Sequence, residues 1–237
     1  MWDIAYGNGT WVTVGDNGSI YTSDESSCTL RTSGSIEELN ELYYGNSTFV
    51  ALGDNGTILS STDGITWTKR ISGTTDRLYS GIYRNSNFVA VGMNGTLLTA
   101  SDATSSSTWT SNRTYTQDAY STTSVNTHFY GIAYGNSIWV IIGQSGNIYT
   151  TSDKNISTSM VVNSRSSGTT ENLRKVFLKA EWSTRFFVNS GQNHLKRNNK
   201  KPKIPHIIWV ILHRKSYQLL LIEFIRIPRL KHKNIPQ

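Results

Sequence analysis

A unit of about 40 residues recurs along this chain, and no other feature constrains the fold as strongly. Each copy contains an aromatic residue, then Val, two further residues and Gly. Four clear copies lie at residues 11–15, 49–53, 88–92 and 139–143, and a weaker fifth copy lies at 187–191. Their glycines are separated by 38, 39, 51 and 48 residues, and the longer steps contain Ser/Thr-rich insertions. The chain is therefore predicted to fold as an array of similar units.

Each copy is flanked on both sides by the signals of a β-hairpin. An earlier aromatic residue stands five positions before the first one, at Tyr6, Tyr44, Tyr83, Tyr134 and Trp182. An Asn-Gly dipeptide follows at residues 17–18, 55–56 and 94–95, and Ser-Gly replaces it at 145–146. Because Asn and Gly adopt the positive φ angles that a two-residue hairpin turn requires, each unit is predicted to be a three-stranded meander. A fourth strand is expected where an Asp-containing turn follows.

This period and strand count favour one architecture over its alternatives. Roughly 40 residues per four-stranded unit is typical of a β-propeller blade, whereas leucine-rich repeats and β-helices have shorter periods. Helical repeats would need an apolar period of about 3.6 residues, which the sequence lacks. An irregular β-sandwich would not explain the regular recurrence. We therefore predict an all-β chain, a β-propeller with four clear blades and a partial fifth, in an incomplete or open ring.

The composition changes abruptly near Lys196. Residues 196–237 hold 11 of the 23 Lys and Arg residues, all four Pro residues and only one acidic residue, Glu223. We therefore assign the propeller repeats to residues 1–195, and residues 196–237 to a basic tail, rich in Pro, Ile and Leu, outside the repeat pattern. Two interpretations of this tail stay open. It contacts nucleic acid or an anionic membrane, or a change of reading frame or retained non-coding sequence has truncated the fifth unit.

The most complete turn after a third strand lies at residues 61–67, with the sequence STDGITW. Its aspartate can accept hydrogen bonds from backbone N–H groups of the same turn, and its glycine allows the tight bend. The tryptophan is expected to fold back and pack between neighbouring units. We assign a structural role, and no catalytic role, to Ser61, Asp63, Gly64, Thr66 and Trp67. Related turns have lost the Gly, the Trp or the spacing, at Asp24, Asp102 and Asp153.

This turn resembles the Asp-box (BNR) motif of sialidase-like propellers, Ser-x-Asp-x-Gly-x-Thr-Trp. It is also similar to the Asp-Gly-x-Thr-Trp repeats of photosystem II assembly-factor propellers, which often lack one residue between Asp and Gly, as this copy does. The resemblance implies a propeller fold over residues 1–195. It does not imply an activity, since the Asp-boxes of such families lie at the blade periphery, away from the central ligand site.

Two functions are compatible with these features. The first is a non-catalytic scaffold that binds a protein or a glycan through loops on one face, with the insertion at residues 101–127 as the variable loop. The second is a fragment of a sialidase-like glycoside hydrolase without a complete active site. The sialidase resemblance would imply a cluster of arginines on the substrate carboxylate. The repeat arginines show no equivalent placement; they are Arg31, Arg70, Arg77, Arg84, Arg113 and Arg165.

No cofactor, metal site or nucleophile is predicted. The Asp-Asn-Gly turns resemble calcium loops only loosely, because no acidic residue follows at a distance suited to bidentate ligation. The five histidines lack the spacing of a zinc site, and the single cysteine, Cys28, has no His near it in sequence. The tail sequence IRIP at residues 225–228 is similar to a sialidase motif, but it follows all the repeats.

The compartment of the protein stays open. No signal peptide is predicted at the N-terminus, but the chain begins inside a repeat, which predicts missing upstream sequence. No run of about 18 apolar residues predicts a transmembrane helix. Most sequons for N-glycosylation belong to the hairpin turns, where Asn already has a structural role. They start at Asn8, Asn17, Asn46, Asn55, Asn94, Asn112 and Asn155.

Overall fold

A computed structural model describes residues 1–23, 27–105, 109–117, 122–124, 126–152, 159–178, 208–213 and 219–222. Over these residues, β-strands form four four-stranded antiparallel units and one three-stranded sheet, which we number blades 1 to 5 in chain order. The strands of each four-stranded blade are hydrogen-bonded in the order in which they occur in the sequence. Each of these blades is therefore a meander, as the hairpin signals predicted.

The strand bounds repeat closely from blade to blade. Blade 1 consists of β1 (Asp3–Gly7), β2 (Thr10–Val14), β3 (Ile20–Ser23) and β4 (Cys28–Arg31). Blade 2 consists of β5 (Leu39–Gly45), β6 (Thr48–Gly53), β7 (Ile58–Ser61) and β8 (Thr68–Arg70). Blade 3 consists of β9 (Leu78–Arg84), β10 (Asn87–Gly92), β11 (Leu97–Ala100) and β12 (Thr110–Gln117), with β13 (Thr122–Ser124) beside β12. Blade 4 consists of β14 (Phe129–Gly135), β15 (Ile138–Gly143), β16 (Asn147–Thr151) and β17 (Ser159–Ser166). Blade 5 consists of β18 (Lys175–Leu178), β19 (Ile208–His213) and β20 (Leu219–Ile222).

The turn between the second and third strands explains why each blade folds back on itself. In blade 1, Asn17 and Gly18 have φ angles of 52° and 67°, and the Ser19 N–H donates to the Asp16 carbonyl at 2.9 Å. Two successive residues in the left-handed region define a type I′ turn, whose twist matches that of antiparallel strands. Equivalent turns lie at residues 54–57, 93–96 and 144–147. Asn and Gly adopt this conformation at lower cost than other residues, which explains their recurrence.

The first strand of each blade is its innermost strand. Strands β1, β5, β9, β14 and β18 contact one another in this order, whereas the fourth strands lie at the opposite edges of their sheets. The blades are therefore arranged around a common axis, with their first strands nearest to it, as in a β-propeller.

The hydrophobic core lies between successive blades. At each of the first three joints, an aliphatic triad of the earlier blade packs in one cluster with a buried aromatic residue of the next blade. The triads are Val12, Val14, Ile20; Val50, Leu52, Ile58; and Val89, Val91, Leu97. The aromatic residues are Phe49, Phe88 and Trp139, in the same order. These residues belong to the repeated aromatic-Val motif and its neighbours. The repeat in the sequence therefore supplies the residues that form the joints between blades.

The insertion at residues 101–127 does not form the simple loop that we predicted. Thr110–Gln117 forms strand β12, whose first part pairs with β11 and whose second part runs parallel to β17 of blade 4. Blades 3 and 4 therefore share a continuous sheet at their outer edge. A strand longer than its partner leaves backbone N–H and C=O groups unpaired, and a neighbouring edge strand can satisfy them.

Two strands of the basic tail belong to blade 5. Strand β19 pairs antiparallel with β18, and β20 pairs antiparallel with β19. The weaker fifth copy of the repeat, at residues 187–191, lies outside the described residues. Among the residues that are described, the partners of β18 therefore come from the tail. The division of the chain at residue 195 stays a prediction.

Candidate functional site

The Asp turn of blade 2 is organised by the carboxylate of Asp63. Asp63 Oδ1 accepts hydrogen bonds of 2.8 Å from the Ser61 hydroxyl and from the backbone N–H groups of the two residues after Gly64. The Ser61 hydroxyl accepts the Gly64 N–H at 2.8 Å, and the Trp67 indole N–H donates to the Gly64 carbonyl at 2.9 Å. The five residues that we assigned to this turn thus form one local hydrogen-bonded network.

The network lowers the pKa of Asp63, and its tryptophan lies at the joint between blades 1 and 2. The backbone hydrogen bond from Thr66 is the largest cause of a pKa near 2, against an ordinary value of 3.8. The Trp67 ring lies 6.4 Å from the ring of Phe49, at the joint between blades 1 and 2. Asp63 is therefore ionised at neutral pH, and its Oδ1 atom accepts hydrogen bonds from donors of its own turn.

Blade 3 retains the tryptophan of this turn despite the insertion. The ring of Trp109 lies 6.5 Å from that of Phe88, which matches the Trp67–Phe49 pair of blade 2. Asp102 accepts the N–H and the hydroxyl of Thr104 at 2.7 Å, and these bonds lower the pKa of Asp102. The related turns at Asp24 and Asp153, and the tail segment 225–228, lie outside the described residues.

Three arginines occupy equivalent places in their blades, so our prediction of unrelated positions was wrong. The strand register shows that the same position of the fourth strand is occupied by Arg31, Arg70 and Arg165 in their respective blades. The Nε groups of Arg31 and Arg70 donate to third-strand hydroxyls, on Thr22 at 2.8 Å and on Ser60 at 2.7 Å. All three arginines lie on the outer strands of separate blades, and this placement is unsuited to joint binding of one carboxylate.

A link motif that we did not predict joins each of three blades to the next one. It reads Ser-Gly followed by Ser or Thr, at residues 33–35, 72–74 and 167–169. In the second copy, the Ser72 hydroxyl donates to the Thr74 carbonyl at 3.0 Å, and the Thr74 hydroxyl accepts the Asp76 N–H at 3.0 Å. The same bonds recur in the other two copies. The recurrence of Ser-Gly at these positions was the sequence signal from which the link motif could have been predicted.

The link motif packs on the type I′ turn of the blade before it. The Gly56 N–H donates to the Asp76 carbonyl at 3.0 Å, and a Cβ atom at Gly56 would overlap the Thr74 carbonyl oxygen. Gly18 and Gly146 lie against the equivalent carbonyls of their own links. Each turn glycine therefore serves two purposes, because it permits a positive φ and leaves room for the link.

Bulges in blades 2 to 4 bring one residue of each inner strand to an equivalent position at the end of the propeller that carries the type I′ turns. The pairing of first and second strands skips one residue in blades 2, 3 and 4, namely Asn40, Tyr79 and Tyr130. Trp2 and Arg174 stand at the matching positions before β1 and β18. We call these five residues the inner-strand row. Since β-bulges re-aim side chains and are frequent beside binding sites, this row is the candidate functional site.

The row contains a cluster of aromatic and cationic side chains from blades 3 to 5. The rings of Tyr79 and Tyr130 meet edge to face, with centroids 5.0 Å apart. The Arg174 guanidinium lies 5.0 Å from the centroid of the Tyr130 ring, within the range of a cation–π interaction. The His128 ring lies 6.2 Å from the same tyrosine. Tyr130 is therefore the centre of this cluster.

At the other end of the row, Trp2 and Asn40 are hydrogen-bonded to aspartates of the turns. The Asn40 amide donates to Asp54 Oδ1 at 2.9 Å, and also to the Leu78 carbonyl of blade 3 at 3.2 Å. The Trp2 indole N–H donates to Asp16 Oδ1 at 2.7 Å. Both aspartates are the first residues of type I′ turns, so the turns position this half of the row.

The two arginines beside the tyrosines differ in their surroundings. Arg77 forms an ion pair with Asp54, and its guanidinium lies 3.7 Å from a carboxylate oxygen of Glu38. Arg174 is exposed, and no described carboxylate lies within 4.0 Å of it. Burial raises the pKa of the Tyr79 phenol above 10, so its hydroxyl is neutral at physiological pH. The cluster therefore offers a guanidinium group without a described carboxylate partner, beside two aromatic rings.

Hydrogen bonds from the turns hold the residues that flank the row. The Asn94 N–H donates to His128 Nδ1 at 3.1 Å, and the Ser145 N–H donates to Asn172 Oδ1 at 3.0 Å. Because Nδ1 of His128 accepts a hydrogen bond, the proton of the neutral ring lies on Nε2. The flanks of the site are thus fixed before any partner binds.

The described part of the chain lacks the features of a metal site and of a membrane-spanning helix. No group of three or more His, Cys, Asp or Glu side chains is placed to hold a metal ion within these residues. None of the helical segments found there has the length and apolar character that crossing a membrane requires.

The fold of this chain is similar to that of solved structures, whereas its sequence matches no protein-family model. The structure entitled "YCF48 bound to D1 peptide" matches 89% of this chain and 60% of its own, with 13% identity and a TM-score of 0.55. YCF48 from Cyanidioschyzon merolae matches 74% of this chain and 59% of its own, with 13% identity and a TM-score of 0.53. This chain thus spans about 60% of the length of these neighbours.

No protein-family model matches the sequence, and no curated protein does. At 13% identity, the structural neighbours establish the fold alone. Together with the order of blades, they confirm the predicted architecture: the chain is a β-propeller of four four-stranded blades and a partial fifth.

Proposed function

We propose that this protein is a non-catalytic scaffold that binds a protein partner through the inner-strand row. The observation that carries the proposal is the cluster of Tyr79, Tyr130 and Arg174, partly or fully exposed at the end of the propeller that carries the type I′ turns. Tyr, Trp and Arg dominate the binding energy of protein interfaces. Bulges position the two tyrosines, and turn hydrogen bonds hold the flanking residues His128 and Asn172, which reduces the entropy lost on binding.

The structural neighbours support a protein ligand over a glycan. One of them has a title that names a bound peptide, "YCF48 bound to D1 peptide". Nothing comparable points to a carbohydrate, so glycan binding is the weaker form of the proposal. Because the identity is only 13%, the neighbour supports the class of ligand and not its sequence.

The placement of the charged residues favours a scaffold over a sialidase-like hydrolase. The three equivalent arginines lie on outer strands, and Asp63 is bonded within a turn at a joint between blades. Near the axis, Arg77 is already paired with Asp54 and lies near Glu38. Among the described residues, no cluster of arginines is therefore placed to bind a substrate carboxylate as in a sialidase.

The experiment is a selection for binding followed by substitution of the central tyrosine. The full chain is immobilised and screened against a library of random peptides and against a glycan array. Enriched peptides are then titrated against the wild type and Tyr130→Ala. Loss of a hot-spot side chain costs about 2 kcal/mol or more, so we expect affinity to fall about 30-fold.

Leu30→Ala supplies the matched control, since Leu30 is a large exposed side chain on the outer strand β4. Its affinity for the same peptides should equal that of the wild type. Peptide binding that is unaffected by Tyr130→Ala would show that the row is not the contact surface. Enrichment of glycans without peptides would refute the protein-scaffold proposal itself.

A further inference from the structure

Two equivalent hydrogen bonds connect a type I′ turn to the inner strand of the next blade. At the joint of blades 3 and 4, the Asn94 N–H donates to His128 Nδ1 at 3.1 Å. At the joint of blades 4 and 5, the Ser145 N–H donates to Asn172 Oδ1 at 3.0 Å. Both donors are the second residue of their turn, and both acceptors stand one position before a buried core residue. We call these two contacts the turn bonds.

The two turn bonds differ in the chemistry of the acceptor. An asparagine amide keeps its protonation state between pH 5 and pH 8, whereas imidazole side chains generally gain a proton in this interval. A protonated imidazole carries hydrogen on both nitrogens and accepts no hydrogen bond. In protonated His128, the Nδ1–H and the Asn94 N–H are therefore two donors that face each other, and the bond between them is lost. The chain thus contains a titratable and an inert version of the same contact.

The titratable version lies beside the central residue of the inner-strand row. The His128 ring is 6.2 Å from the Tyr130 ring, and the two planes meet at 70°. The two residues stand on either side of the buried Phe129, so both are attached to one short segment of chain. Because the rings are neighbours, a displacement of the His128 ring changes the space that is available to Tyr130. The turn bond of His128 therefore helps to position the Tyr130 ring.

One carboxylate is bonded to the turn that holds His128. Asp76, on the link between blades 2 and 3, accepts the Asn94 side-chain amide at 2.8 Å and the Thr96 hydroxyl at 2.6 Å. No described carboxylate oxygen lies within 4.0 Å of a ring nitrogen of His128. Protonated His128 therefore has no direct counter-ion among the described residues.

The groups on the other side of His128 are aromatic or cationic. The Arg77 guanidinium lies 6.0 Å from the centroid of the Tyr79 ring, and the Arg174 guanidinium lies 5.0 Å from that of the Tyr130 ring. Protonation of His128 adds a third positive charge to this cluster. Repulsion between like charges then acts in the same direction as the loss of the turn bond, because both favour movement of the His128 ring away from its site.

We propose that His128 is a pH-sensitive switch of the inner-strand row, whose protonation breaks the turn bond, releases Tyr130 and weakens the binding of a protein partner. The effect on the partner rests on the proposed function, whereas the loss of the turn bond concerns the free protein. We expect binding to be about fivefold weaker in acid, the effect of roughly 1 kcal/mol, because a released side chain must be ordered again on binding.

Nuclear magnetic resonance of the ¹⁵N-labelled full chain tests the turn bond without a ligand. Between pH 8 and pH 5, the Asn94 amide signal should shift with the same midpoint as the ring signals of His128. The Ser145 amide, which donates to Asn172, should keep its position. In His128→Asn, which copies the inert contact of the next joint, the Asn94 amide should no longer titrate. A constant Asn94 signal in the wild type would overturn the proposal, as would an unchanged titration in His128→Asn.

The effect on binding is measured with selected peptides whose affinity is lowered by Tyr130→Ala. Their affinity for the wild type should be about fivefold lower at pH 5.5 than at pH 7.5, whereas His128→Asn should bind them equally at both pH values. His128→Ala has no turn bond at either pH, so at pH 7.5 it should bind as weakly as the wild type does at pH 5.5. Circular dichroism at both pH values checks that the variants are folded.

Two results would overturn the switch: a constant affinity of the wild type, or an equal fall in the wild type and His128→Asn, which would place the titrating group elsewhere. Failure of the proposed function has a different signature, because no selected peptide would then depend on Tyr130. That result would refute the effect on a partner, and the Asn94 titration would still confirm or refute the loss of the turn bond.

Discussion

Replacement of a single turn glycine tests whether the links between blades stabilise the propeller. Gly56 has a φ of 63°, and a Cβ atom there would overlap the Thr74 carbonyl oxygen of the link motif. Gly34 has a φ of 71°, but a Cβ atom there would have no other atom within 4 Å. Both Gly56→Ala and Gly34→Ala therefore place an alanine in the left-handed region, which lowers the free energy of unfolding in both variants. Only Gly56→Ala also displaces the link motif.

The magnitudes follow from these contacts. An alanine in the left-handed region costs about 1–2 kcal/mol, which is the whole effect expected for Gly34→Ala. In Gly56→Ala, the link must also move, which breaks the 3.0 Å bond from the Gly56 N–H to the Asp76 carbonyl and disturbs the Ser72–Thr74 bond. Each lost bond adds about 1 kcal/mol, so the variant should lose about 3–4 kcal/mol.

Thermal unfolding followed by far-UV circular dichroism measures the difference. For a chain of this size, 1 kcal/mol corresponds to about 2–4 °C, so we expect Gly56→Ala to melt about 10 °C below the wild type and Gly34→Ala about 4 °C below it. Urea titrations should rank the two variants in the same order. Equal losses of stability in both would refute the argument, because they would show that the link yields to the added methyl group without cost.

Three further substitutions test other parts of the structure. Trp109→Ala should cost about 3–5 kcal/mol in urea unfolding, because it empties a buried site at the joint of blades 2 and 3, whereas Leu30→Ala, at an exposed site, should cost less than about 0.5 kcal/mol. The folded pKa of Asp63, about 2, lies below its ordinary value of 3.8, so this group stabilises the wild type above pH 4 and the contribution is lost as the pH falls from about 4 to about 2. Melting temperatures between pH 2 and pH 7 should therefore fall less steeply on the acid side in Asp63→Asn. Ser60→Ala leaves the Arg70 Nε–H without its 2.7 Å acceptor and should cost about 1–2 kcal/mol in urea unfolding; no measurable loss would show that water replaces that bond.

Much of the local structure could be predicted because its causes are local. The recurring Asn-Gly pairs predicted the turns, and the structure places Asn17, Asn55 and Asn94 at φ angles near 52°. The Asp63 network involves residues 61–67 only, so its donors and acceptor are adjacent in sequence. The apolar repeat predicted the blade, because a sheet with an apolar face needs a neighbour to cover it.

Other features were missed although the sequence contained a signal for them. The link motif recurs as Ser-Gly at residues 33–34, 72–73 and 167–168, and an alignment on these pairs would also have brought Arg31, Arg70 and Arg165 into register. The insertion concealed the match between Trp67 and Trp109, because the distance from the aspartate to the tryptophan differs between the two blades.

The sequence by itself determined the repeating unit, its turns and the all-β class, since each depends on the conformational preferences of neighbouring residues and on a period in the chain. Only the tertiary structure decided which residues of different blades meet. Tyr79, Tyr130 and Arg174 are far apart in sequence, and their contacts depend on the bulges and on the packing of inner strands around the axis. The same holds for the pairing of the tail strand β19 with β18, which joins residues 30 or more positions apart. Contacts of this kind result from how the sheets pack, and no local pattern in the chain specifies them.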